Sequence, residues 1–131
     1  MPQIAKVVMA VAAGGAVGAL GRFGLSFWAS RWAPPTFPWG TLIVNVAGCL
    51  FLGAMLRLLE GTVPGSAWRA FLIVGVAGGF TTFSTFSHEN ILLLQEREYG
   101  RAALYMSGSV VLGICALLLG IALAGQLAQR T

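Results

Sequence analysis

Residues Gly78 to Ser87 read Gly-Gly-Phe-Thr-Thr-Phe-Ser-Thr-Phe-Ser, with hydroxyl side chains and phenylalanines crowded between Leu72-Ile73-Val74 and Ile91-Leu92-Leu93-Leu94. Hydroxyls and amides donate hydrogen bonds without a fixed charge that would trap an ion. Helical spacing from Thr82 puts Phe83 and Phe86 on adjoining turns, Thr82 beside Phe86, and Ser84 beside His88. Phenylalanines three apart usually pack a core, yet an ordinary lipid-facing helix does not carry hydroxyls on every side. In apolar surroundings an irregular, hydroxyl-rich segment is tolerated where it is buried in protein or lines a wet cavity. The stretch therefore reads as the wall of an ion path.

Other polar side chains are few. Asn45, with Gly48 about one turn on, is either interhelical glue worth about 0.6 to 2 kcal/mol or part of a site. Tyr105 and Ser109 lie one turn apart on one face, with Ser107 pointing elsewhere. Arg22, late in the first apolar segment, either snorkels to the interface or serves a vestibule. His88 has no second plausible ligand to make a metal site with it, so it reads as interfacial, and Glu89 as a hydrogen-bonding or salt-bridging group. Cys49 and Cys115 read as buried, inert thiols.

The elements that must carry these residues follow from composition. The 131 residues are 57% hydrophobic and 9% charged, against about 25% charged in soluble domains. The expected fold is an all-α membrane protein, one channel domain over residues 1–131, with spans at about 5–30, 39–59, 68–94 and 99–127. The first run continues to Arg22 without a convincing small-residue cleavage site, so it reads as a span and not a leader. Gly14-xxx-Gly18 in span one and Gly75-xxx-Gly79 in span three are close-approach pairs. Pro34, Pro35 and Pro38 stop the helix between the first two spans, and Trp28, Trp32 and Trp39 suit the headgroup belt. Residues 60–66 and 95–98 read as turns. Gly78-Gly79 followed by Thr81-Thr82 predicts a break in the third span, freeing backbone carbonyls at mid-membrane depth.

The net charge of +4 comes from residues scattered at helix ends, which suits lipid headgroups and not nucleic acid. Lys6, Arg57, Arg69 and Arg130 fall on one side of the membrane; Arg22, Arg31, Arg97 and Arg101 fall on the other. That balance sets no orientation. A chain without bias inserts both ways, and a bundle this thin needs a partner to enclose a pore, so an antiparallel, dual-topology homodimer is expected.

Arg22 after a glycine-rich span, Pro38-Trp39-Gly40-Thr41-Leu42 followed by Asn45 and Gly48, and Gly78 to Phe86 followed by Glu89 together resemble the CrcB/Fluc family of small fluoride channels. The likeness spans nearly the whole chain. It implies a fluoride-selective channel in the cell membrane that passively exports fluoride, built as an antiparallel dimer with two pores. By that resemblance Phe83 and Phe86 line the pore, Asn45 donates its amide to fluoride, and Ser84 and Thr85 shape the polar path. Tyr105 and Ser109 match a polar track whose next hydroxyl would fall at Gly113. Gly78 and Thr81 offer backbone carbonyls to a structural sodium ion on the dimer axis, and Arg22 stands in the vestibule. The physics agrees: stripping water from fluoride needs compensating donors, and phenylalanine ring edges carry the positive part of the quadrupole.

Two other classes are disfavoured. A proton-coupled drug exporter needs a titratable carboxylate within a span, whereas Glu60, Glu89, Glu96 and Glu98 fall near span ends or turns. A close-packed scaffold leaves the hydroxyl and phenylalanine cluster unexplained. No catalytic constellation occurs at span depth, so an enzyme is not expected.

Overall fold

The computed structural model describes residues 2–63 and 66–129. Pro64 and Gly65 of the second turn, and the charge on Arg130, lie outside the described residues. Among the described residues every regular element is helical: α1 (Pro2–Trp32), α2 (Trp39–Leu58), α3 (residues 67–80), α4 (Phe83–Gln95) and α5 (Tyr99–Ala128). Helices α3 and α4 together form one interrupted span, Ala67–Gln95, so among the described residues four stretches are long and apolar enough to cross a membrane. At roughly 1.5 Å per residue, the 31 residues of α1 cover about 46 Å, more than the hydrocarbon core, so the helix tilts or projects beyond it.

Packing follows the small residues. Gly14 and Gly18 of α1 face Gly75 and Gly79 of α3, as their spacing predicted: a Cβ on Gly75 would stand 2.8 Å from Gly14 Cα, and one on Gly79 would stand 2.7 Å from the Gly15 carbonyl. On the other side Gly53 of α2 meets the Leu117 backbone of α5, and Gly120 of α5 meets the Leu50 and Ala54 backbones of α2. In lipid, where apolar contact drives little association, such close backbone approach is what holds helices together.

Helix α3 departs from simple α geometry. It opens with an α turn, Ala67–Arg69, capped by Ser66 Oγ accepting from Arg69 N–H at 3.3 Å. It then widens into a π stretch, Ala70–Ala77, and closes on an α turn, Gly78–Phe80. The break expected from Gly78-Gly79 followed by Thr81-Thr82 is present, and it falls on the threonines. Gly78 is helical (φ −66°, ψ −38°), while Thr81 (φ −78°, ψ 154°) and Thr82 (φ −145°, ψ 113°) are extended. Gly79 serves the crossing with α1, and the β-branched threonines prefer the extended backbone.

The connections are short. Ala33 N–H still bonds the Ala29 carbonyl at 3.1 Å before the prolines take over. The last turn ends on Arg97 in the left-handed region (φ 61°), with Glu98 N–H reaching back to the Leu93 carbonyl at 2.8 Å. Cys49 is half-buried, but Cys115 lies on the exposed face of α5, contrary to the expectation that both thiols are enclosed.

Candidate functional site

The site is built around the two extended threonines. Thr82, 8% exposed, is gripped from α2: Asn45 Nδ2 donates to the Thr82 carbonyl at 3.0 Å, and Thr82 N–H donates to Asn45 Oδ1 at 2.8 Å. An amide side chain thus supplies the pair of bonds that a neighbouring strand would supply. Gly48, next along α2, leaves room for the Thr81 methyl and the Phe80 ring, whose Cδ1 would stand 3.1 Å from a Cβ there. Asn45 and Gly48 together let α2 close on the gap.

The interruption frees carbonyls. The last backbone bond of α3 runs from Thr81 N–H to the Ala77 carbonyl at 3.1 Å, reinforced by Thr81 Oγ1 at 3.0 Å. The Gly78 carbonyl loses its helical donor because Thr82 N–H goes to Asn45. The Thr81 carbonyl loses its own because Thr85 N–H bonds Thr82 Oγ1 at 3.3 Å, the N-cap of α4. Gly78 is exposed, and a Cβ there would meet nothing within 4 Å.

Hydroxyls crowd the restart: Thr82 Oγ1 lies 3.0 Å from Thr85 Oγ1 and 3.3 Å from Ser84 Oγ. Ser84 and Thr85 are exposed. The rings divide. Phe83 is 78% exposed on the protomer, while Phe86 packs on Tyr105 (centroids 5.0 Å) and joins a cluster with Leu42, Leu93 and Ala102. Their own centroids are 5.7 Å apart.

A polar knot joins three helices near Phe86. Glu89 on α4 accepts from Thr41 Oγ1 of α2 at 2.7 Å and from the Tyr105 hydroxyl of α5 at 2.7 Å. Tyr105 is completely enclosed, its ring edge-on to Phe37 at 5.4 Å. Ser109 Oγ, one turn further on α5, is buried without a hydrogen-bond partner among the described residues. At Gly113 a side chain would lie 3.5 Å from Cys49 Sγ. His88 is exposed, and among the described residues no group of His, Cys, Asp and Glu is close enough to hold a metal.

Arg22 is half-buried and opens into a cavity of about 270 Å³ shared with Ser26, Thr41, Thr82 and Thr85. Thr41 also lines a second cavity, about 340 Å³, with Ser26, Ser30 and Glu89. Ser26 and Thr41 thus line both the cavity beside Arg22 and Thr82 and the cavity beside Glu89.

The sequence matches known proteins. The family model described as CrcB-like protein, Camphor Resistance (CrcB), covers residues 9–121. The chain belongs to the CrcB family. Among curated relatives of this CrcB chain, one from Thermus thermophilus is 51% identical over 118 residues, covering 89% of this chain and 92% of its own. One from Nitrobacter winogradskyi is 47% identical over 116 residues, covering 87% and 91%. One from Caulobacter vibrioides is 44% identical over 119 residues, covering 89% and 94%. Each is described as a fluoride-specific ion channel FluC. With four apolar spans, this CrcB member is a multi-pass membrane protein.

The break brings together Asn45, Ser84 and Thr85 with the Gly78 and Thr81 carbonyls, and the Arg22 cavity reaches it. Phe86, Tyr105 and Ser109 stand on a second, more buried side. Thr41 is absent from the site expected from sequence although it lies one turn before Asn45 on α2, and Glu89, expected to hydrogen-bond or form a salt bridge, finds its partners in Thr41 and Tyr105. The signal was their common spacing: Thr41 and Asn45 are four apart, and Phe86 and Glu89 three apart, so each pair shares a helix face.

Proposed function

We propose that this chain is a fluoride-selective channel that exports fluoride passively across the cell membrane, and not an enzyme. The observation that carries the reading is the interrupted third span: neutral donors and aromatic rings gathered at a break held open by Asn45. The relatives named as fluoride-specific channels support it.

Fluoride gathers near Arg22, exchanges water for neutral donors, and passes Phe83 and Phe86 in single file. Asn45 holds the break through one Nδ2 proton and keeps the second for the ion. Ser84 and Thr85 contribute exposed hydroxyls beside it, and Ser109 Oγ, with no partner of its own, is free to donate further along. The Tyr105 hydroxyl is committed to Glu89, so it acts by fixing that carboxylate and the Phe86 ring. Sites of this kind bind strongly enough to admit an ion and weakly enough to release it.

Two further parts belong to the proposal. Phe83 is 78% exposed, and beside it lie exposed hydroxyls and the open side of Gly78. Facing acyl chains these groups would be unfavourable, and a second, inverted copy covers them; the balanced charges permit that inversion. A reporter fused to one terminus that labels from a single side in every molecule would end the dual-topology reading. The carbonyls of Gly78 and Thr81, freed of helical donors, fit a hard monovalent cation such as sodium, and a second copy would double the set. Bound there, sodium would supply fixed positive charge and cross-link the halves.

Purified protein in liposomes tests the whole reading. Fluoride loaded inside should leave rapidly when a potassium ionophore clamps the voltage, with chloride left behind. Equal chloride release, or none of either ion, would end it.

A further inference from the structure

The end of α2 and the start of α3 border a cavity of about 440 Å³, walled by Arg57, Glu60, Thr62 and Arg69, with Leu56 and Ile121 as its apolar lining. The ion path leaves it unused: at roughly 1.5 Å per residue along α2, Arg57 stands about 18 Å from Asn45. Two guanidinium groups share this space with one carboxylate. Arg57 is paired with Glu60 across one turn. Arg69 is half-buried and has no carboxylate partner among the described residues. Its guanidinium is nonetheless held in place, because Nη1 donates to the Leu59 carbonyl at 3.1 Å. That bond leaves the remaining guanidinium N–H groups for a ligand. A half-buried charge, fixed but unpaired, calls for an anion from outside the chain.

The level of the cavity identifies the source of that anion. Trp68, beside Arg69, is 62% exposed and stacked on Phe71 with ring centroids 5.5 Å apart. An exposed tryptophan at the end of a span marks headgroup level. Lipid phosphates lie at that level, and the planar fork of an arginine engages two phosphate oxygens at once. Two guanidinium groups against one carboxylate leave one net positive charge, which suits a headgroup with one net negative charge. A zwitterionic headgroup would bring a further cation into a cavity that already holds two. The apolar lining from Leu56 and Ile121 covers the first methylenes of the acyl chains. We propose that this cavity binds an anionic phospholipid of the phosphatidylglycerol class, with its phosphodiester on Arg69 and Arg57 and its glycerol hydroxyls donating to Glu60. The lipid then ties the end of α2 to the start of α3 at the membrane surface. This site does not depend on which ion the protein conducts.

The test is thermal unfolding of the purified protein in neutral detergent with phosphatidylglycerol, phosphatidylcholine or inorganic phosphate added, while native mass spectrometry counts bound lipid. Phosphatidylglycerol at about ten times its dissociation constant should raise the unfolding midpoint by about 5 °C, and phosphatidylcholine by much less. Arg69→Gln should weaken phosphatidylglycerol binding about tenfold or more, the size of one charged hydrogen bond lost. Arg57→Gln should weaken it less, because Glu60 already engages that guanidinium. Arg31→Gln, which removes an exposed charge in the last turn of α1, should leave the shift intact. Loose attraction of lipid to a basic surface predicts instead that Arg31→Gln and Arg69→Gln erode the shift equally. That equality, or a shift from phosphatidylcholine as large as that from phosphatidylglycerol, overturns the proposal. An equal shift from inorganic phosphate also overturns it, since the ligand is then a soluble anion and not a lipid. Should Arg69→Gln fail to fold, Arg69→Lys keeps the charge without the fork and should bind phosphatidylglycerol several-fold more weakly; wild-type affinity in that variant would equally refute the site.

Discussion

Asn45→Ala is the sharpest perturbation the structure offers. It removes both bonds to the Thr82 backbone, at 3.0 and 2.8 Å, and leaves an N–H and a carbonyl unpaired on a residue that is 8% exposed. Each unpaired buried group costs about 1 to 3 kcal/mol, so the pair would cost about 2 to 6. The cavity of about 270 Å³ that Thr82 shares with Arg22 is polar enough to admit water in partial replacement. That places the net loss near about 2 to 3 kcal/mol, or roughly 30- to 160-fold in the unfolding equilibrium. The assay is unfolding in mixed micelles with rising SDS, followed by tryptophan fluorescence, together with fluoride efflux from liposomes. Asn45→Leu restores the lost volume without the hydrogen bonds and should be as damaging as alanine. Wild-type stability in either variant, or recovery by leucine, would refute the idea that the break is held by these two bonds.

Other outcomes follow from the same geometry. Gly79→Val would drive a side chain into the Gly15 backbone and should abolish the monodisperse peak on gel filtration, whereas Gly100→Ala, where a Cβ meets nothing within 4 Å, should elute like wild type. Phe83→Ile and Phe86→Ile should both sharply reduce fluoride efflux. Only the second should also lower stability, by about 1 to 2 kcal/mol in detergent unfolding, because it gives up the contact with Tyr105. Glu89→Gln offers one acceptor where two hydroxyls now donate; a double-mutant cycle with Tyr105→Phe should return a coupling of about 1 kcal/mol, and strict additivity would dismiss the knot.

Much of this was legible in the chain. Length and hydropathy marked four spans to within a few residues, and Gly14-xxx-Gly18 found its partner in Gly75-xxx-Gly79 because small residues at that spacing have few other uses in lipid. The break was legible within Gly78 to Thr82, but the division of labour inside that stretch was not. Glycine signals permissive backbone and close approach equally, and here Gly79 does the second while Thr81 and Thr82 do the first. The π stretch Ala70–Ala77 left no trace in composition, since Ala-Phe-Leu-Ile-Val-Gly-Val-Ala suits either pitch. The grip of Asn45 on Thr82 joins residues 37 apart, and that of Thr41 on Glu89 joins residues 48 apart; no local pattern encodes such a register.

One consequence of the interrupted span is electrostatic. A helix that stops at Phe80 and restarts at Phe83 leaves about half a unit of negative charge at the end of one piece and about half a positive unit at the start of the next. Both lie deep in the bilayer, a few residues apart, made from peptide dipoles alone. A cation and an anion each find an attractive end there without an ionisable side chain. Such a field does not vary with pH and cannot be neutralised by protonation.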